Sequence, residues 1–268
     1  MKKKKTNKKR LFFDGPDTRL SYLDFGGEGA TLLALHGHMN EGRFAEGLAE
    51  HIQEACHMFA LDQRGHGESG RPSSYENDRY VEDAIALLDH LNIEKAIILG
   101  HSLGGAVAYR LAARFPDRVL ALIIEDVGAV IHSDLSFALD WPYRAPTKEA
   151  LIEGIGRLGP AHAYSMRQYE DGWGLPFNVG DILRSQRELN GDYWKEWTAS
   201  TVPALLIYGT TSRVLSSEHA QEMVSKRPNT ELVSIEAGHA VHFDNPECYR
   251  EEIVNFMSNL GFIKEWQI

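Results

Sequence analysis

Cysteine is scarce in this chain of 268 residues: Cys56 and Cys248 are the only two, far apart in sequence. That argues against a disulfide-stapled secreted scaffold and fits a reducing, cytoplasmic compartment. No apolar run approaches the length of a membrane span, so membrane association is not expected. Basic side chains are outnumbered, with 28 Lys and Arg against 38 Asp and Glu, a net charge of −10. Seven of the basic residues (Lys2, Lys3, Lys4, Lys5, Lys8, Lys9 and Arg10) crowd the first ten positions, which leaves 21 basic against 38 acidic residues elsewhere. So acidic a body disfavours nucleic acid as a partner. The arm at residues 1–10 has no apolar stretch of the kind a secretory signal needs, and it reads as a solvated, disordered tail. A hydrophobic content of 43% is ordinary for a globular protein, and the length suits one α/β domain carrying an insertion.

The periodicity supports that division. Short apolar runs at 31–35, 57–61, 95–99, 119–125, 203–208 and 230–235 have the continuous character of strands covered on both faces. Amphipathic runs at 44–54, 80–91, 103–115, 217–226 and 247–260 alternate with them as helices, and Ser216 is placed to cap the fourth. Ahead of these, residues 11–14 and 20–25 flank the turn signal Gly15-Pro16-Asp17 as a hairpin. From about 130 to 201 the alternation stops. Gly and Pro breaks, short helical stretches and many aromatics suggest a helical cap inserted into a core of residues 11–129 and 202–268. Most of those rings pack the cap onto the body, while Trp141, Tyr143, Trp173 and Trp194 are candidates to line an apolar substrate pocket.

The chemistry concentrates at Gly100-His101-Ser102-Leu103-Gly104-Gly105. A buried strand precedes this G-x-S-x-G and a helix follows it, which is the context of a nucleophile elbow. The glycines permit a turn too tight for Cβ atoms, Ser102 sits at its apex, and the amides of the following helix face the reacting centre. Two backbone N–H groups are candidates to hold an oxyanion: Leu103, next after the serine, and His38, in the loop His36-Gly37-His38 after an early strand. The loop Asp62-Gln63-Arg64-Gly65-His66-Gly67-Glu68-Ser69 reads as structural, with Asp62 and Arg64 bonded to loop backbone.

With Gly238-His239 before the last helix, these motifs stand in the order found in α/β-hydrolases, which the chain resembles over nearly everything after Leu11. The resemblance implies a mostly parallel twisted sheet flanked by helices, Ser102 as nucleophile and His239 as general base. His242 is the rival base. A metal site built on His239-x-x-His242 or His36-x-His38 lacks further ligands of suitable spacing, and the implied chemistry needs no cofactor. The pattern departs at the third triad member. The usual position of the acid holds Ser212, which cannot stabilise an imidazolium. Some relatives carry the acid at the end of the strand after the nucleophile helix, here Glu125-Asp126. Side-chain alternation puts only one of these on the histidine side; Asp126 is the choice and Glu125 the alternative.

The expected function is a serine esterase or lactonase, a monomer or homodimer acting on a small-molecule ester with an apolar or aromatic part. Dehalogenases and epoxide hydrolases of this fold need a carboxylate where Ser102 stands. Carbon–carbon bond hydrolases and thioesterases use serine and stay open, as does a ligand-binding or signalling protein with slow turnover, which the serine at 212 would suit.

Overall fold

A computed structural model describes residues 8–263. Its centre is an eight-stranded sheet: β1 (Lys9–Asp14), β2 (Arg19–Asp24), β3 (Ala30–Leu35), β4 (Cys56–Asp62), β5 (Ala96–His101), β6 (Val119–Glu125), β7 (Ala204–Gly209) and β8 (Thr230–Ile235). The spatial order is β1-β2-β4-β3-β5-β6-β7-β8. β1 and β2 pair antiparallel, β2 meets β4 antiparallel, and the six strands from β4 to β8 run parallel.

Period-two alternation decides which side of the sheet each residue joins. Leu33, Leu35, Ile98, Leu122, Ile124 and Leu206 pack on one face, under α2 (Asn77–His90), α3 (Leu103–Arg114) and a later helix that supplies Ala220 and Met223. Leu32, Ala34, Ile97, Leu99, Ala121, Ile123, Leu205 and Ile207 pack on the other, under α1 (Glu46–Ile52) and a terminal helix that supplies Tyr249, Ile253 and Phe256. Burial on both sides explains why these strands read as unbroken apolar runs.

Residues 130–201 carry α4 (Lys148–Ile155), α5 (Val179–Leu189) and α6 (Trp194–Ala199). They are not purely helical. Val130–Ile131 pairs with Gly191–Asp192, and Arg167–Tyr169 pairs with Gly172–Gly174, both antiparallel. The second ribbon turns through Gly172 at φ 128°, which a side chain would resist. A separate apolar cluster of Ala138, Ala145, Leu151, Met166, Leu175, Phe177 and Ile182 forms here, joined from the body by Met39. α7 (Ser217–Lys226) has its expected cap, Ser216 accepting from the His219 N–H, and α8 (Pro246–Asn259) closes the described chain.

The basic arm needs a correction. Lys2, Lys3, Lys4 and Lys5 lie outside the described residues, but β1 begins at Lys9 rather than Leu11, and Lys8 pairs with Glu46 at 2.7 Å. Arg10 reaches two buried carboxylates, Glu41 (3.1 Å) and Asp62. Fixed, opposed charges are what order its guanidinium, and a run of like charges in sequence does not reveal them. Both cysteines are free. Among the described residues, no helix is long and apolar enough to cross a membrane.

Candidate active site

Ser102 lies between β5 and α3 with φ 52° and ψ −117°, an unfavourable conformation for a residue bearing a Cβ. The turn around it is equally tight. A Cβ on Gly100 would collide with the Gly104 carbonyl, and one on Gly104 with the Leu35 carbonyl, so α3 starts in direct contact with the end of β3. Leu103 opens α3 and is buried, and its N–H is one of the first-turn donors without an intrahelical partner. The loop after β3 closes against the same turn. A Cβ on Gly37 would stand 2.7 Å from His101 Nδ1 and 3.0 Å from Ser102 Cβ. The His38 side chain is engaged elsewhere, at 2.8 Å from Ser185 Oγ on α5, so any contact it makes with a reacting oxygen must come from its main chain.

Sheet alternation separates the two acids at the end of β6. Asp126, buried and at φ 50°, places Oδ2 2.7 Å from His239 Nδ1 and accepts the Ser212 hydroxyl at 2.5 Å. Its Oδ1 accepts the Gly209 N–H at 3.1 Å. Glu125, also fully buried, turns to the α8 face and meets His242, whose Nδ1 is 2.8 Å from Oε1. Ser212 therefore supports the carboxylate from the position that usually holds the acid in other members of the fold. With Nδ1 donating to Asp126, the His239 imidazole keeps a lone pair on Nε2. Its side chain is 36% exposed, and the His101 ring lies 4.6 Å away.

The loop after β4 is a scaffold. Asp62 accepts from the Gly42 and Glu68 N–H groups at 2.8 and 3.0 Å, and Arg64 bonds Asp83 at 2.7 Å and the Ser74 carbonyl at 3.0 Å. Burial pushes His66 down to about 4 and His101 to about 3, and holds His36 and His38 well below the usual range, so these imidazoles are neutral near pH 7.

The four aromatic candidates separate. Trp141 and Tyr143 border a cavity of about 180 Å³ with Leu139, Leu175 and Phe177, and Phe177 leads inward to His66. Trp173 packs beside it in the apolar cluster of the insertion, its backbone paired with Ala145. Trp194 does not join them. Its ring lies 5.3 Å from His219, with Lys226 Nζ 4.1 Å above it, so it fastens α6 to α7; aromatic content alone could not tell the two uses apart.

Sequence reasoning also missed how the insertion is tied to the loop behind Gly37. Arg167 pairs with buried Glu41, with Glu68 at 2.9 Å and with the Gly67 carbonyl at 3.1 Å, while Arg43 donates to the Tyr164 carbonyl at 2.7 Å. Pairs this far apart in sequence leave no local signal.

A family model described as the alpha/beta hydrolase fold matches residues 30–166. The chain belongs to that family. A relative, 2-(acetamidomethylene)succinate hydrolase of Mesorhizobium japonicum, is 28% identical over 247 residues, covering 86% of this chain and 89% of the relative. Among solved structures, that of E-2-(acetamidomethylene)succinate hydrolase matches with a TM-score of 0.85 at 22% identity, over 94% of this chain and all of the other. An enol-lactonase from Burkholderia xenovorans matches with a TM-score of 0.77 at 20% identity, over 92% of this chain and all of the other. At these identities the two structures speak for the fold alone.

Proposed function

We infer that this α/β hydrolase is a serine hydrolase that cleaves a carboxylic ester or lactone through an acyl-enzyme on Ser102. The observations that carry the inference are the 2.7 Å contact between Asp126 and His239 Nδ1 and the positive φ of Ser102 at the start of α3. A hydroxyl is a weak nucleophile near neutral pH, and an imidazole with a free Nε2 lone pair can take its proton. Ser102 Oγ adds to the ester carbonyl carbon while its proton passes to His239 Nε2. The Leu103 and His38 N–H groups hold the oxyanion. Collapse of the tetrahedral adduct breaks the carbon–oxygen bond, and His239 returns the proton to the leaving alkoxide. Water, deprotonated by the same nitrogen, then frees the acid and restores Ser102. Asp126 keeps Nδ1 protonated and stabilises the imidazolium, and Ser212 and Gly209 hold Asp126 in place.

Residues 130–201 act as the cap. Trp141, Tyr143 and Trp173 surround or adjoin the 180 Å³ cavity, which would take an apolar or aromatic part of the substrate. The relative named for hydrolysis of 2-(acetamidomethylene)succinate supports a small-molecule acyl substrate, and the acidic body supports a partner other than nucleic acid. A slow-turnover binding protein drew its support from the missing acid at Ser212, and Asp126 removes that support.

Intact-mass analysis with a fluorophosphonate probe tests the chemistry. One adduct, mapped to Ser102, is expected, together with turnover of short p-nitrophenyl esters and aryl lactones; a single burst of product without turnover would favour the binding protein. Asp126→Asn is expected to lower kcat by about 10⁴, because an amide facing Nδ1 favours the wrong tautomer. A loss below tenfold would remove Asp126 from the triad.

A further inference from the structure

Directly behind the proposed triad lies a second set of three side chains, each close in sequence to a triad member: His101 beside Ser102, Glu125 beside Asp126, and His242 three residues after His239. Cross-strand register places His101 opposite Glu125 on the α8 face of the sheet, and the Ser102 N–H donates to the Glu125 carbonyl at 2.9 Å. This second set touches the main chain of the histidine loop at two points. His101 Nε2 donates to the His239 carbonyl at 3.0 Å, and Glu125 Oε1 accepts the His242 N–H at 3.0 Å. The His242 ring reinforces the second contact through Nδ1, 2.8 and 3.1 Å from the two Glu125 oxygens.

We propose that Glu125 and His101 are positioning residues, which fix the backbone on both sides of His239 so that its ring can bridge Asp126 and Ser102. The proposal rests on the serine-hydrolase mechanism above. It also accounts for a cost. Burying a carboxylate and two imidazoles is unfavourable unless they are paired, and the core positions around them are apolar. Glu125 stays ionised all the same. Burial alone would raise it, but His242 and His101 beside it bring it down to about 2. Facing this group from the neighbouring elements are His239 on the same loop and Tyr249 on α8, whose hydroxyl burial and Glu125 hold well above its usual range.

The His239 loop has little else to define it. Its one helical turn spans Val241–Asp244, and Ala240 before it makes no side-chain cap. Its other anchors are the Asp244 carboxylate, accepting the Gly238 N–H at 2.8 Å, and the Ala237 carbonyl, accepting the Thr211 N–H at 3.0 Å and its hydroxyl at 2.8 Å. Without the bonds from beneath, the main chain on either side of the imidazole would lose two of its hydrogen bonds, one at residue 239 and one at residue 242. A drift of about 1 Å at a reacting nitrogen is enough to cost about 100-fold in rate.

These three side chains are also the group, among the described residues, whose donor atoms converge closely enough to hold a metal ion, lying within 4.8 Å of one another. Most of those atoms are already committed to the clamp. His101 Nδ1 is the exception, buried and without a partner. It makes His101→Phe a clean probe: the ring volume stays and the one hydrogen bond to the His239 carbonyl goes.

His101→Phe, Glu125→Ala and Glu125→Gln would be compared with wild type by steady-state kinetics, by the rate of fluorophosphonate labelling at Ser102, and by the low-field NMR resonance of the His239 Nδ1 proton. His101→Phe is expected to lower kcat and labelling about tenfold and Glu125→Ala about 100-fold, with KM within about threefold and the Nδ1 resonance broadened. Glu125→Gln, which keeps an oxygen for the His242 N–H, is expected to recover most of the loss. Folded variants with wild-type kcat, labelling and resonance would overturn the proposal. So would stoichiometric zinc in the wild-type protein held by these three side chains. If Glu125→Ala does not fold, His101→Phe carries the test. Absence of labelling in wild type would instead defeat the serine-hydrolase reading, and the Nδ1 resonance would still report on the clamp.

Discussion

Ser102→Ala is expected to lower kcat for a p-nitrophenyl ester by about 10⁶, and His239→Ala by a similar factor. The double variant should be little worse than either single one, because the two groups act as one unit: without the imidazole the hydroxyl is not deprotonated, and without the hydroxyl the imidazole has nothing to activate. Activity about 10³ above the uncatalysed rate should survive, since the Leu103 and His38 amides and the cap remain. The fold should not suffer. Alanine keeps the Cβ that makes φ 52° costly, so stability should change by less than about 1 kcal/mol. Glycine removes that Cβ, and Ser102→Gly is expected to raise stability by about 1 kcal/mol while being equally inactive. Wild-type turnover in either single variant would refute the assignment.

Acid should unfold this protein unusually early. Burial lowers His66 and His162 from 6.5 to about 4 and His101 to about 3, and holds His36 and His38 well below 6.5. An unfolded chain takes up these protons near pH 6.5, whereas in the folded chain His66 and His162 refuse them until about pH 4, His101 until about pH 3, and His36 and His38 until well below 6.5. Below pH 6.5 the unfolded state therefore binds more protons, and stability falls with pH. Each such histidine contributes a slope of up to about 1.4 kcal/mol per pH unit. Glu125, depressed from 4.5 to about 2, adds stability that is present above pH 4.5 and lost as pH falls toward 2. Asp83 opposes them: burial raises it to about 6 against the pull of Arg64, so the folded state binds its proton first. Five histidines against one aspartate leave a net loss of stability as pH falls from 6.5 toward 4.5. Urea midpoints at pH 7, 6 and 5 should drop steeply at constant m-value, and His162→Phe should reduce the slope. A flat profile from pH 7 to 5 would contradict the buried, neutral state of these rings.

Much of the fold was legible in the sequence because its strands are buried on both faces and its elbow demands glycine at fixed spacing. Gly100 and Gly104 reveal themselves locally, since no side chain fits where α3 meets β3. The candidate acid was half legible. Alternation says that Glu125 and Asp126 face opposite ways, but not which way His239 approaches, and only the assembled loop gives the answer. The tether formed by Arg10, Glu41 and Arg167 was not legible at all, because its members come from an edge strand, a loop and the insertion. Arg10 was hidden among lysines that promised only solvation. Trp194 misled for a related reason. Aromatic residues serve equally well against a neighbouring helix or around a ligand, and nothing in their immediate neighbours distinguishes the two.

Glu125 and Asp126 are consecutive, yet each is matched to a different histidine. That matching is enforced by β6 lying in fixed register between β5 and β7. A slip of one position either way would put Asp126 opposite His242 and Val127 opposite His239, or Glu125 opposite His239 and Ile124 opposite His242. Single insertions or deletions within 119–125 should therefore silence the protein even where it still folds, whereas comparable changes in the outer turns of 130–201 can accumulate and retune what it accepts. The length of one short strand is a stricter inheritance here than the identity of most residues around the pocket.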